Sequence, residues 1–255
     1  MIDLGKAVER AISNVYAGKL KTGDLDADTW RANVEALWQA VVQGAGQPGE
    51  GDTAFDLVKN LRQNAMVFAA FKNHSNIADL VEALTDAEGN ARSFQDFRDL
   101  ALGIQQDYNI TWLEAEYNTA IASAQMAVRW DDLGQNADTL PYLRFVTVGD
   151  DRVRLAHQLL EGTTRRIDDA FWDEWYPPIG WNCRCDVQQV AGGETDIPDT
   201  LPDEKQAPLA FRFNAGKTRT LFGPEHPYYA GFKEDEVNRI YKAMNDLATK
   251  EGLQP

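Results

Sequence analysis

The strongest constraint on the fold is a change in hydrophobic period close to residue 140. Before this point, apolar residues recur every three to four positions, a pattern typical of amphipathic helices that share a core. After it, Leu140–Val148 alternates apolar and polar residues as a strand does, and Pro141 suits the start of a strand. We therefore predict an α+β fold, with a helical region over residues 1–139 and a smaller mixed module over residues 140–255.

The helical region carries apolar stripes and no motif for chemistry. We place His74 in an exposed break after the third helix, and a kink near Asp107 in the last. The predicted helices are Ile2–Leu20, Trp30–Val42, Phe55–Lys72, a short helix ending at Leu84, and Phe94–Trp130. This pattern indicates a scaffold that docks on a larger assembly.

The mixed module combines short elements with one long connection. We predict a short helix over Arg152–Leu160, strands at Arg184–Val190 and Leu209–Phe213, and a terminal helix from Glu234 to about Thr249. Residues 192–206 are rich in Gly, Pro and acidic residues, which predicts a long exposed connection.

The composition excludes several classes of protein. The chain has 255 residues and a net charge of −15, from 40 acidic and 25 basic side chains, without a basic run. Such a surface is unsuited to strong nucleic-acid binding, which depends on Lys and Arg at phosphates. Two cysteines form no disulfide framework. The sequence contains no apolar stretch near the ~18 residues that a membrane span requires.

The two cysteines form a Cys-x-Cys pair, Cys183 and Cys185. This spacing is acceptable for two thiolates on one metal, although it departs from the usual zinc spacing of two to four residues between cysteines. In an extended segment both side chains point to one face, yet the Cα separation is at or beyond the ~7 Å limit for a disulfide. His157 and His226 are the histidines in this half of the chain. We predict one structural zinc bound by Cys183, Cys185, His157 and His226.

Two other interpretations of these residues stay open. In the first, the thiols and imidazoles are packed, hydrogen-bonded core groups, since free cysteines are often buried. In the second, Cys183 is a nucleophile and His157 its base, with Asp169 or Asp150 orienting the imidazole. No protease signature, phosphate-binding loop or His-Glu-x-x-His motif supports an enzyme. We therefore predict a protein without catalytic residues.

Four aromatic residues surround the Pro-Pro pair. We predict that Trp172 and Trp181 pack in the core of the module. We predict that Trp175 and Tyr176 anchor an interface, because aromatic side chains are enriched at binding hot spots.

Several short motifs between residues 95 and 230 resemble the phage Mu F-like minor head proteins, also called head morphogenesis proteins. The string Trp-Asn-Cys-Arg-Cys with an upstream histidine is the most specific of them. The motifs are Arg152 with His157 and Gly162, Asp169 with Phe171-Trp172, Pro177-Pro178, Trp181–Cys185, Asn214-Ala215-Gly216 and His226-Pro227-Tyr228.

The resemblance implies a structural protein of a tailed phage or prophage that acts in head assembly or in DNA packaging or ejection. Its implied partners are the portal and other head proteins, with self-association left open, and its implied location is the virion head, after assembly in the host cytoplasm. The resemblance also favours a structural role for Arg152, in a buried ion pair with nearby acids rather than a surface pair. The alternatives are a cysteine-dependent hydrolase or transferase that uses Cys183 and His157, and an interaction or delivery module of a bacterial secretion locus.

Overall fold

The computed structural model describes residues 3–253 and confirms the α+β class. The helices are α1 Leu4–Tyr16, α2 Ala27–Ala45, α3 Phe55–Glu82, α4 Phe94–Gln106, α5 Trp112–Gln135, α6 Leu155–Gln158, α7 Phe171–Glu174, α8 Ala215–Thr218 and α9 Glu234–Lys250. The strands are β1 Tyr142–Val146, β2 Thr164–Arg166 and β3 Asp186–Val190.

The chain divides into two compact units, each assembled from separate segments. The first unit comprises Met1–Gln39, Arg62–Glu116 and Tyr228–Pro255, and the second comprises Ala40–Leu61 and Tyr117–Pro227. A division into domains at residues 1–139 and 140–255 stays a prediction.

In the first unit, polar side chains along α3 are buried, and the predicted break at His74 is therefore wrong. Asn73 accepts a hydrogen bond from the Asp26 amide at 2.8 Å and donates one to the Thr29 hydroxyl at 2.7 Å. Asn76 accepts a hydrogen bond from Gln105 at 3.1 Å. His74 is itself buried. The polar run resembles a loop in sequence, but these hydrogen bonds let it continue the helix inside the core.

The predicted kink near Asp107 is present as a π-helical turn over Asp107–Thr111. This turn buries Tyr108 and Asn109. The Tyr108 hydroxyl donates to Asp79 at 2.8 Å, and Asn109 accepts a hydrogen bond from Asn33 at 2.9 Å. The wider turn thus directs polar side chains into the unit.

The second unit contains a three-stranded antiparallel sheet in the order β2-β1-β3. β1 is the central strand, with Leu143 opposite Gln189 and Phe145 opposite Val187 on β3. Leu143 and Phe145 are fully buried, whereas their neighbours on β1 are half-buried. The alternation therefore turns one face of the sheet to the core, as the sequence predicts.

Aromatic residues fill the core of the second unit. Trp172 is fully buried, as predicted. Trp175 and Tyr176, expected as exposed interface anchors, are also buried, and the Tyr176 hydroxyl donates to the Met126 carbonyl at 3.0 Å. Trp181, expected in the core, is only half-buried. The burial of both Trp175 and Tyr176 contradicts their predicted role as interface anchors.

Two further segments of the second unit bear on the predictions. Leu209–Phe211 is a 3-10 turn instead of the predicted strand. Residues 192–206 contain no helix or strand. Thr195 in this connection exchanges two hydrogen bonds of 3.0 Å with Thr164, which ties the connection to the edge of β2.

Within residues 3–253, no helix has the length and apolar character needed to cross a membrane.

Candidate metal centre

His157 is held by the short helix α6. The predicted helix over Arg152–Leu160 is reduced to Leu155–Gln158, which leaves Arg152 outside it. The amide of His157 donates to the Arg154 carbonyl at 2.9 Å, and the imidazole is buried, with 3% of its surface exposed. One helical turn is thus enough to fix the ring against the core.

Cys183 and Cys185 lie in the short segment between a turn at Trp181–Asn182 and β3. Asn182 has a left-handed backbone with φ of 53°, a conformation that asparagine tolerates better than most residues. The Cys183 amide donates to the Gly180 carbonyl at 3.1 Å. Both thiols are partly buried against the aromatic core of the second unit. A turn at Trp181 and Asn182 precedes this segment, and both cysteines then approach one imidazole.

The structure brings His157, Cys183 and Cys185 together, and their possible ligand atoms all lie within 4.8 Å of one another. His157 Nδ1 is 3.3 Å from Cys185 Sγ and 3.7 Å from Cys183 Sγ. A tetrahedral zinc with Zn–S near 2.3 Å and Zn–N near 2.0–2.1 Å places sulfur and nitrogen about 3.6 Å apart. The spacing of these three side chains therefore fits one zinc ion.

His226, predicted as the fourth ligand, is not part of this group. Its buried ring packs edge-on against Trp181 and Phe222, with ring centroids 5.7 and 5.9 Å apart. Within residues 3–253, the metal-capable cluster thus contains three protein ligands. The His-Pro-Tyr motif contributes an aromatic contact at His226.

Arg154 lies on the other side of the imidazole. Its Nη1 is 3.4 Å from His157 Nε2, and its Nη2 donates to the Trp181 carbonyl. Gly180 makes room for it, because a Cβ at that position would be 2.9 Å from Nη1. A side chain at Gly180 would therefore displace the end of the Arg154 side chain from its place beside the imidazole.

Arg184, between the two cysteines, pairs with Asp150 through two hydrogen bonds of 2.7 and 2.8 Å. The Arg184 guanidinium lowers the pKa of Asp150 to about 2. Arg152, expected in a buried ion pair, has a side chain that is 77% exposed and 3.5 Å from the same carboxylate. The expectation for Arg152 is wrong, because α6 begins after it and the bidentate contact belongs to Arg184.

The two thiols influence each other's ionisation. The pKa of Cys183 is lowered, to about 4, because its thiolate accepts a hydrogen bond from the Cys185 thiol and another from His157. The same contact, together with burial, raises the pKa of Cys185. Burial and the neighbouring thiolate therefore disfavour a second negative charge at Cys185, and a bound cation would offset this effect.

A small pocket lies next to the cluster. It is lined by the three cluster residues together with Val148, Arg152, Val153, Arg154, Asn182 and Arg184. None of these six additional residues carries a carboxylate, thiol or imidazole. The lining therefore offers no fourth carboxylate, thiol or imidazole ligand to a metal bound by the cluster.

The geometry does not assemble a catalytic triad. Asp169 accepts two hydrogen bonds from Arg165, at 2.9 and 2.7 Å, and one from the Phe171 amide at 2.8 Å. Asp150 is paired with Arg184. Neither proposed carboxylate is therefore available to His157, and Nε2 faces a guanidinium where a triad has a carboxylate.

The sequence predicted the three cluster residues, but not the contact of Arg154 with His157 or the close approach of Gly180 to Arg154. The sequence contains a signal for each of these two residues. Arg154 precedes His157 by three residues, the distance at which side chains become neighbours on a helical turn, and Gly180 immediately precedes the Trp-Asn-Cys-Arg-Cys string.

The comparisons with known proteins bear on this same segment. The sequence model of the family described as Phage Mu protein F like protein matches residues 50–188, which is more than half of the chain. The chain belongs to this family. The matched residues include His157, Cys183 and Cys185, and exclude His226.

Two relatives of this Mu F-like chain are similar over part of their length. The "Putative capsid assembly protein F" of Escherichia phage Mu is 36% identical over 110 residues, which are 43% of this chain and 23% of the relative. The "Mu-like prophage FluMu F protein" of Haemophilus influenzae is 41% identical over 69 residues, 27% of this chain and 17% of the relative. The chain thus spans less than a quarter of each relative. No solved structure is significantly similar to it.

Proposed function

We propose that this Mu F-like chain is a minor structural component of the head of a tailed phage or prophage and acts in head morphogenesis near the portal. The observation that carries the proposal is the family match over residues 50–188, together with the similarity to a protein named for capsid assembly. The proposed partners are the portal and other head proteins, and the proposed location is the virion head, reached from the host cytoplasm.

The physical character of the chain supports an architectural role. The cluster of His157, Cys183 and Cys185 packs against an aromatic core, and the carboxylates needed for a triad are engaged elsewhere. A net charge of −15 also favours contact with proteins over strong contact with DNA. Any part in DNA packaging or ejection would therefore depend on protein partners.

Quantitative mass spectrometry of purified particles tests this location. The chain should copurify with DNA-filled heads of the phage or prophage that encodes it, in far fewer copies than the major capsid protein. A tagged chain should also retain the portal protein of the same phage when both are produced together. Absence from the particles, together with no retention of the portal, would contradict the proposal.

A second candidate function is a cysteine-dependent hydrolase or transferase. It is favoured by one observation, the 3.7 Å approach of Cys183 Sγ to His157 Nδ1. Iodoacetamide separates the two candidates, because a catalytic thiolate reacts fast at neutral pH, whereas a buried or metal-bound thiol reacts slowly. We expect slow labelling in the protein as isolated. Fast labelling of Cys183 alone, with a matching loss of a hydrolytic activity, would favour the enzyme.

A further inference from the structure

We propose that His157, Cys183 and Cys185 bind one zinc ion through three protein ligands, and that the fourth coordination position opens into the pocket beside Arg152. Nothing in the similarity to capsid proteins assigns a metal to this chain. The inference rests on the cluster alone and is independent of the proposed role in the phage head.

The donor set is the first argument for zinc. Two thiolates and one imidazole are ligands that zinc prefers, while carboxylate-selective ions such as Mg²⁺ and Ca²⁺ do not take such a set. The separations of 3.3 and 3.7 Å between Nδ1 and the two sulfurs bracket the ~3.6 Å edge of a tetrahedral zinc site. The ion would enter without large movement of the three side chains.

Charge is the second argument. A zinc ion with two thiolates and a neutral imidazole forms a neutral unit. Burial of two adjacent thiolates is unfavourable without a cation, and zinc deprotonates the thiols that it binds. The neighbouring guanidiniums of Arg154 and Arg184 offset only part of the negative charge of two thiolates. A zinc ion would neutralise the rest.

The cost to the surroundings is small. When Nδ1 binds zinc, the imidazole proton moves to Nε2, which faces Nη1 of Arg154 at 3.4 Å. This separation is at the long limit of a hydrogen bond. The bond from Nη2 of Arg154 to the Trp181 carbonyl does not involve Nε2 of His157. Metal binding thus breaks one weak contact.

The open fourth position follows from what surrounds the cluster. His226 packs against Trp181, and Asp150 is held by Arg184, so neither completes the set. Zinc with three protein ligands normally carries water or an exchangeable ligand in the fourth place. The arginines that line the pocket would favour a small anion there.

The test is elemental analysis of the purified full chain after zinc loading and gel filtration. We expect one zinc per chain, retained by His226→Gln and lost by Cys183→Ser, Cys185→Ser and His157→Gln, with circular dichroism to confirm folding. Loss of zinc in a folded His226→Gln protein would overturn the three-ligand assignment. No stoichiometric zinc in the wild-type chain, or stoichiometric copper or iron in its place, would overturn the zinc site.

Two measurements on the wild-type chain do not depend on variants that could fail to fold. The thiols of the zinc-loaded protein should resist Ellman's reagent until EDTA is added, and equal reactivity with and without EDTA would contradict metal binding. In the cobalt-substituted protein, added azide should shift the visible d–d bands if the fourth position is open. A cobalt spectrum that azide leaves unchanged would overturn the open position.

Discussion

At the scale of single residues, the most unusual contact is an ion pair between two almost fully buried side chains, Lys72 and Glu116. Burial lowers the pKa of Lys72 and raises the pKa of Glu116, while their mutual attraction opposes both shifts. Removal of one partner leaves an uncompensated buried charge. We predict that Lys72→Met lowers the free energy of unfolding by ~3–5 kcal/mol in urea titrations.

The matched control for this pair is the double variant Lys72→Met with Glu116→Gln. The glutamine is neutral and can still accept a hydrogen bond from Tyr228, which contacts Glu116 in the native protein. The double variant should recover most of the stability lost in Lys72→Met. Additive losses from the two substitutions would contradict the coupling.

Gly216 provides a steric prediction. A Cβ at this position would lie 2.1 Å from the Cβ of Trp130, a backbone-anchored atom that cannot move aside. Gly216→Ala should therefore lower the unfolding free energy by ~1–3 kcal/mol or more, as overpacking does. Gly103→Ala is the control, because that exposed glycine in α4 has open space around it and should gain up to ~1 kcal/mol. Equal effects of the two substitutions would contradict the packing.

Asp150 gives a prediction for pH. Its pKa is lowered to about 2 by Arg184, so the pairing stabilises the folded chain above the unfolded pKa of ~4 and is lost as the pH falls towards 2. The urea midpoints of the wild type and Asp150→Asn should differ by a constant amount above about pH 5 and converge below it. A difference that grows on acidification would contradict the assignment.

The candidate site could be predicted only in part from these residues. Cys183, Cys185 and His157 were accessible from residue type and spacing. The absence of His226 from the cluster could not be predicted, because the sequence does not show that its ring packs against Trp181. Trp175 and Tyr176 were misassigned for a related reason: the direction in which a turn aims a side chain is a tertiary property, and both point into the core.

At the scale of elements, the central strand β1 offers a direct test of the packing of the second unit. Phe145 is fully buried on the core face of this strand. Phe145→Ala should lower the unfolding free energy by ~3–5 kcal/mol, because it removes apolar contacts and leaves a cavity. Gln188→Ala on β3 is the control, since Gln188 is exposed and its loss should change stability by less than ~0.5 kcal/mol. A loss below ~1 kcal/mol for Phe145→Ala would contradict the burial of this side chain in the core.

Elements with a long regular pattern were predictable. The helices α1, α2 and α9 and the strands β1 and β3 agree with the sequence prediction within a few residues. The elements that the sequence predicted wrongly were short or polar. Leu209–Phe211 is a 3-10 turn, and α3 continues through a polar run because buried hydrogen bonds replace apolar contacts. The hydrogen-bond partners of these buried side chains are far away in the sequence, so a local pattern of residues does not reveal them.

At the scale of the whole molecule, the Mu F-like family membership was the part most accessible from sequence, because the motif string around Cys183 is specific. The division into two units was not accessible, since each unit joins segments far apart in the chain. The acidic charge of −15 fits a role among proteins, and the proposed site in the head follows from the family.

The measurement that tests the central claim most directly is the yield of DNA-filled heads after deletion of the gene from the phage or prophage that encodes the chain. Electron microscopy should show a marked loss of normal filled heads, and expression of the wild-type chain in trans should restore them. Filled heads of normal number and shape in the deletion strain would contradict a role in head morphogenesis.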